Sequence, residues 1–324
     1  MSLALLVALL LLCGDKVSLV RGTAAMMGTT ACAYPKGQVI SFYWKSKNVM
    51  NDGGAWEGGD KAVLPKQLVS EIRSKMLGIK SSSITKEGRV DYSGIKQSEV
   101  FASFLSLTRL LKSVDLNTLT NAGKKSCLIN LYNCLIIHAI INDLLDVKGG
   151  TLARLRLYAS ASYNIGGTAF SLNDIENGLL RGNRKSAVPL TGLPFPKDSD
   201  PRRSLMLPCD ARVHFALNCA AVSCPPIGVY TEEGLDEELA LATEGFLDQS
   251  VGLEESSKTL TLSMLFSWYR QDFGSTDAEV LAWVKRHASR GLRAKVEAFE
   301  TALGANVKDL KIKYATYNWD LNDV

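Results

Sequence analysis

Three histidines, seven cysteines and nine prolines in 324 residues leave little material for several kinds of chemistry. No Cys-x-x-Cys pair occurs, so a thioredoxin-type redox motif and the usual opening of a zinc site are both missing. Cysteine is too sparse for a fold built on disulfides. There is no phosphate loop, because Gly166-Gly167 lacks the Lys-Ser/Thr pair and the helix that should follow. Ser223 lies outside any Gly-x-Ser-x-Gly elbow, which argues against a serine hydrolase. No Asn-x-Ser/Thr glycosylation sequon is present. Charge of one sign is also scarce. Lys and Arg total 37 against 33 Asp and Glu, a net charge of +4 with no long basic run, so nucleic acid is not an expected partner. What remains is the composition of a packed globular protein, with 46 % apolar and 22 % charged residues and enough length for one large domain or two small ones.

The N-terminus carries twelve apolar or small residues in a row, SLALLVALLLLC (2–13). Spanning a bilayer takes about 20, whereas twelve suits the core of a secretory signal peptide. Val20-Arg21-Gly22 offers a cleavage site, so residues 1–22 are expected to be removed and the protein to be secreted, with a cytoplasmic protein as the alternative. No transmembrane span is expected after cleavage. Residues 23–64 read as a loose lead-in, and 65–324 as one continuous domain.

Within that domain, helical spacing of Val69, Ile72 and Met76 follows Pro65, and a second apolar stripe runs from Val100 to Leu111. The segment 122–146 is apolar nearly all round, which places it as a buried helix at the centre, capped by Thr120 or Asn121. Tyr163-Asn164-Ile165 reads as a strand closed by Gly166-Gly167, and Ser171 with Asp174 as a capping box opening a helix at about 172–180. ARVHFALNC (211–219) alternates, which predicts a strand with Val213, Phe215 and Leu217 on one face and His214 on the other. A helix over 232–249, a strand at 259–262, helices at about 263–272, 276–289 and 292–303, and a final strand at 310–319 complete the pass. The class is therefore α+β, a central buried helix with surrounding helices packed on a small, largely antiparallel sheet.

Four segments, LINLYNCLIIHAI (128–140), FSLNDIENGLLRGN (170–183), RVHFALNCAAVSCPPIGVY (212–230) and YATYNWDLND (314–323), together resemble the family of domain of unknown function 547, in order and in spacing. GRVDYSGI (88–95) fits as a lead-in, so the resemblance covers about 65–324. It implies a fold family and by itself no reaction. The chain departs from the family pattern at Cys127 and Leu128, where members usually carry aromatic residues.

The residues that could carry chemistry gather around His214 and Ser223-Cys224-Pro225-Pro226. A thiolate nucleophile needs a base to lower its pKa, and a turn after Asn218 could return Cys224 to His214. Asn130, on the central helix, could orient the pair, or it could tie that helix to loops, as Asn133 would. Glu176 and Arg181 could line a cleft as an ion pair or clamp the structure, and Ser223 falls in the same polar set. Cys209, His214, Cys219 and Cys224 recur every five residues, but this spacing scatters ligands along a strand, so no metal and no cofactor is expected. A disulfide from Cys209 to Cys219 or Cys224 fits a secreted chain better. Two functions from different classes stay open. One is a cysteine-dependent hydrolase or acyl transferase, which resembles papain and transglutaminases in broad layout. The other is a noncatalytic binding or scaffold module for a small molecule or peptide, with structural Cys and His.

Overall fold

The computed structural model describes residues 47–53, 64–143, 150–187, 192–304 and 309–324. The proposed signal peptide and most of the lead-in lie outside the described residues. The chain is α+β, as its patterning predicts. Its strands form two three-stranded sheets, and each is mixed, with one parallel and one antiparallel pair, rather than one largely antiparallel sheet.

The first part begins with β1 (Asn48–Val49) and α1 (Pro65–Ser83), which starts at proline because the missing N–H is not needed in a first turn. Leu68, Ile72, Met76 and Ile79 form its buried stripe. Asp91 then caps the short α2 (Tyr92–Gln97) and Ser98 caps α3 (Glu99–Leu110). The GRVDYSGI segment is thus one bridged residue, Val90, paired to Ile84 and to Asp323, followed by a helix. At the centre stands α4 (Asn121–Ile141), capped by Thr120, with Leu131 and Ile136 fully buried and Ile140 packed against the same core. After α5 (Gly150–Ser160), β2 (Ala161–Ile165) pairs antiparallel with β3 (Thr168–Ser171) across Gly166-Gly167, while β1 pairs parallel on its other edge. Glycine is required at 166: its φ is +59° and a Cβ would sit 2.8 Å from the Val114 carbonyl oxygen.

The second part holds α6 (Leu235–Ser250), β4 (Gly252–Glu254), β5 (Thr259–Leu262), α7 (Met264–Trp268), α8 (Arg270–Phe273), α9 (Asp277–His287), α10 (Arg290–Leu303) and β6 (Lys311–Tyr314). It has its own apolar cluster, dominated by rings: Phe266 lies 4.3 Å from Phe273, and Trp283 meets Phe273 edge-on at 4.9 Å. Residues 211–215 lie between the two clusters. They form a 3₁₀ helix (Ala211–Phe215), not the predicted strand. The Asp210 carboxylate accepts from the backbone N–H and the guanidinium of Arg212, which fixes a tight turn there. The 3₁₀ turn sends Val213 into the first core and Phe215 into the second.

Candidate functional site

The seam between the two cores is polar. From the first side, Ser171 and Asp174 exchange backbone and side-chain bonds as the expected capping box and open a π-helix (Asp174–Leu180). π-Turns are uncommon and are often found at functional sites. This one presents Glu176 and delivers Arg181 just past its end. From the second side, the short helices α7 and α8 present Tyr269 and Asp272. His214 comes from the 3₁₀ turn between them.

Asp272 is the centre of an ionic knot. One of its oxygens accepts from Arg181 Nε at 2.6 Å and from His214 Nε2 at 2.8 Å; the other accepts from Arg184 Nη1 at 2.6 Å. Its side chain is fully hidden from solvent, and those of Arg181 and His214 are 4 % and 2 % exposed. Burial alone would raise the carboxyl pKa, but the bonds from His214 and Arg181 outweigh it and hold Asp272 ionised, well below the usual range. Burial lowers the His214 pKa against the pull of Asp272, so the neutral ring donates its Nε2–H to the carboxylate. The imidazole also stacks on Tyr269 with 4.0 Å between centroids, and the Arg181 guanidinium lies 4.6 Å over the same ring.

Glu176 is the second focus. Its two oxygens accept from the hydroxyls of Tyr132, at 3.0 Å, and Tyr269, at 2.5 Å. Glu176 and Arg181 are therefore not an ion pair, and Tyr132, on the buried α4, carries its hydroxyl into the seam. Burial and the neighbouring carboxylate push both tyrosines well above the usual phenol pKa.

The predicted meeting of His214 and Cys224 does not occur. Cys224 is disulfide-bonded to Cys219, and neither reaches Cys209. The reason is local: Asn218 Nδ2 donates to the Pro225 carbonyl at 2.8 Å, closing the loop on itself and bringing the two sulfurs together. Cys209 keeps a free, half-buried thiol beside Asp272. Burial first, and that carboxylate second, push it up to about 11, the opposite of activation. Ser223 accepts from the Asn318 N–H at 2.8 Å.

Asn130 and Asn133 do not meet this cluster either. Each acts as a peptide mimic. Asn130 exchanges two bonds with the backbone of Tyr230, at 2.8 and 3.0 Å. Asn133 donates to the Ala216 carbonyl and accepts from the Asn218 N–H, both at 2.9 Å. They clamp α4 to the loops that follow His214, so the structural reading holds and an orienting role at His214 does not.

Sequence reasoning missed Asp272, Tyr269 and Arg184. Asp272 lies 58 residues from His214, in a four-residue helix with no motif of its own, so only the fold joins them. Among the described residues, no group of His, Cys, Asp and Glu is arranged to hold a metal ion, and no helix is long and apolar enough to cross a membrane. Neither the curated proteins nor the solved structures yield a match to the chain. Residues 116–247, which include Tyr132, Glu176, Arg181, His214 and the disulfide but stop short of Tyr269, Asp272 and Tyr317, match the family model described as "Protein of unknown function, DUF547", the family that the sequence motifs resemble.

Proposed function

We propose that this domain is a noncatalytic binding module, taking a small molecule or peptide, and not a thiol hydrolase. One observation carries the reading. The nucleophile that sequence suggested is bonded to Cys219, while the base that should activate it is sealed against Asp272. A cysteine nucleophile must reach a thiolate and a substrate, and a base must exchange protons. The free thiols among the described residues do not replace it. Cys127 and Cys134, on α4, are fully buried, with Cys127 pushed up to about 12 by burial. Cys209 faces a carboxylate. The disulfide also supports residence in an oxidising compartment, in keeping with a secreted protein.

The test is thiol labelling with iodoacetamide, mapped by peptide, on intact protein and on His214→Ala. The expected result is no label on Cys224 without reductant, and, after mild reduction, labelling only in the ordinary thiol range near pH 8.5 and indifferent to His214. Labelling of Cys224 below about pH 7 that disappears in His214→Ala would restore the enzyme reading.

A further inference from the structure

The disulfide packs at the edge of the second apolar cluster. Cys219 and Cys224 are both half-buried, in a loop whose Val222 and Pro226 are exposed. The ring they close is the docking surface for a remote segment, 317–322. Val222 N–H donates to the Asp320 carbonyl at 2.9 Å, and Ser223 N–H to the Asn318 carbonyl at 3.2 Å. Asn318 N–H returns to Ser223 Oγ at 2.8 Å, and Asn322 N–H reaches the Ala220 carbonyl at 3.3 Å. Inside this ring Ala220 sits at φ +60°, a left-handed conformation that is unfavourable for a residue with a Cβ. Closure of the ring supplies the constraint together with Asn218, whose Oδ1 accepts from the Ala220 N–H at 2.7 Å.

The chemistry around the sulfurs is equally specific. The Cys219 N–H donates to Cys224 Sγ at 3.0 Å. The Tyr317 hydroxyl lies 3.1 Å from Cys224 Sγ and 3.2 Å from Cys219 Sγ. Donors at a sulfur favour its thiolate and so make it the better leaving group. The one Tyr317 proton is shared between the two sulfurs, and the backbone donor belongs to Cys224 alone.

We propose that Cys219–Cys224 is a reversible thiol-exchange site, and that its redox state sets whether the segment 317–321 stays docked on the loop. A dithiol reductant supplies the electrons. Its thiolate attacks Cys219 Sγ, an intermolecular disulfide forms, and the Cys219–Cys224 bond breaks with its electron pair on Cys224. The second thiol of the reductant then displaces Cys219, leaving the reductant as a disulfide and the protein with two thiols after uptake of two protons. Ala220 relaxes from its left-handed conformation, and the four hydrogen bonds to 318–322 lose their template. Trp319 stays held by Arg154, which donates to its carbonyl, and Asn322 by Val90 N–H and Tyr92 Oη, each at 2.8 Å, so the loosening is confined to the bonds with the loop. This device is independent of what the domain binds, and His214 keeps Asp272 in either state.

The experiment is residue-resolved amide exchange on the full chain, oxidised and after dithiothreitol, with thiols counted in each state and far-ultraviolet circular dichroism as a fold check. Reduction should speed exchange at Val222, Ser223 and Asn318 by about tenfold and leave Val90 and helix α4 unchanged. Re-oxidation should restore protection. A Cys219→Ser/Cys224→Ser variant should match the reduced protein and ignore reductant. Unchanged exchange after full reduction overturns the proposal. So does loss of protection extending through α4, which would make the bond a global staple. Failure of the pair to reduce in the native protein, or to form on oxidation, overturns it as well.

Discussion

The two buried polar systems of this molecule sit side by side and are built on opposite principles. On α4 the two clamps are neutral amides. Asn130 and Asn133 each offer one donor and one acceptor to a single stretch of backbone, so both are paired and neither titrates. Across the seam the groups are ionic. Asp272 gathers two guanidiniums and an imidazole from segments 58 to 91 residues away; the carboxylate, Arg181 and His214 have almost no solvent access, while Arg184 reaches the surface. A neutral clamp loses two hydrogen bonds when cut. An ionic knot, when cut, leaves a charge buried without its partner, which is a larger penalty. The contrast also assigns work: the amides hold α4 to its own loops, and the knot joins one core to the other.

The largest effect should therefore come from Asp272. Asp272→Ala leaves Arg181 charged and buried, and should lower the unfolding free energy by about 4 kcal/mol, measured by urea denaturation. Adding Arg181→Met to it should recover part of that loss, because the stranded charge is gone. If Asp272→Ala alone costs under about 1 kcal/mol, the knot is not what joins the cores.

Asn133→Ala comes next. It strands the Ala216 carbonyl and the Asn218 N–H, and should cost about 3 kcal/mol by the same measurement, with no change in its dependence on pH between 5 and 8. An effect as large as that of Asp272→Ala, or one that varies with pH over that range, would erase the distinction between the two systems.

How far this could be seen in advance follows the same division. Local devices were legible. The Ser171–Asp174 box, the all-round apolarity of α4, a cap at Thr120 or Asn121 and the strand at 259–262 depend on residues a few positions apart; box, buried helix and strand lie where the patterns put them, and of the two cap candidates Thr120 is the one used. The 211–215 segment misled because alternation over so few residues is satisfied by a strand or by a 3₁₀ turn; the deciding signal was Asp210 two residues before Arg212, a turn-forming pair ahead of the apolar run. That error carried the His214–Cys224 meeting with it. Buried amides near α4 announced that they needed partners, but not which ones. Asp272 announced nothing, because a carboxylate in a short helix reads as surface until its distant cations are known.

His138 sharpens the comparison from the neutral side. It is 4 % exposed, its Nδ1 lies 3.1 Å from the Tyr163 hydroxyl, and burial brings its pKa down to about 4. The unfolded chain, with a pKa near 6.5, binds the proton first, so stability is full above about pH 7 and falls as pH drops from 6.5 toward 4. From pH 7 to pH 5 the loss from this residue should be about 2 kcal/mol. Asp272 has the other behaviour: its pKa is depressed, so its contribution is complete above about pH 4 and disappears only in stronger acid. His138→Phe should reduce the slope of the stability profile between pH 5 and 7, the remainder coming from His214 and His287, whose pKa values burial also lowers. A profile that keeps its slope in that variant would move the titration to another group.

The smallest effect tests whether α4 is held along its length or at its end. Thr120 accepts from the Gly123 N–H at 3.0 Å and donates to Glu232 Oε1 at 2.6 Å, so the helix N-terminus has a side-chain cap and a carboxylate near its positive end. Thr120→Ala removes the cap acceptor and should cost about 1 kcal/mol, and Thr120→Ser should restore most of it. Along the helix the clamps at Asn130 and Asn133 satisfy four backbone groups of distant loops, whereas the cap satisfies one of the helix's own. The ratio between Asn133→Ala and Thr120→Ala should accordingly be near three. Equal costs would mean that α4 is anchored at its start, and that the asparagine clamps are replaceable by water reaching the loops.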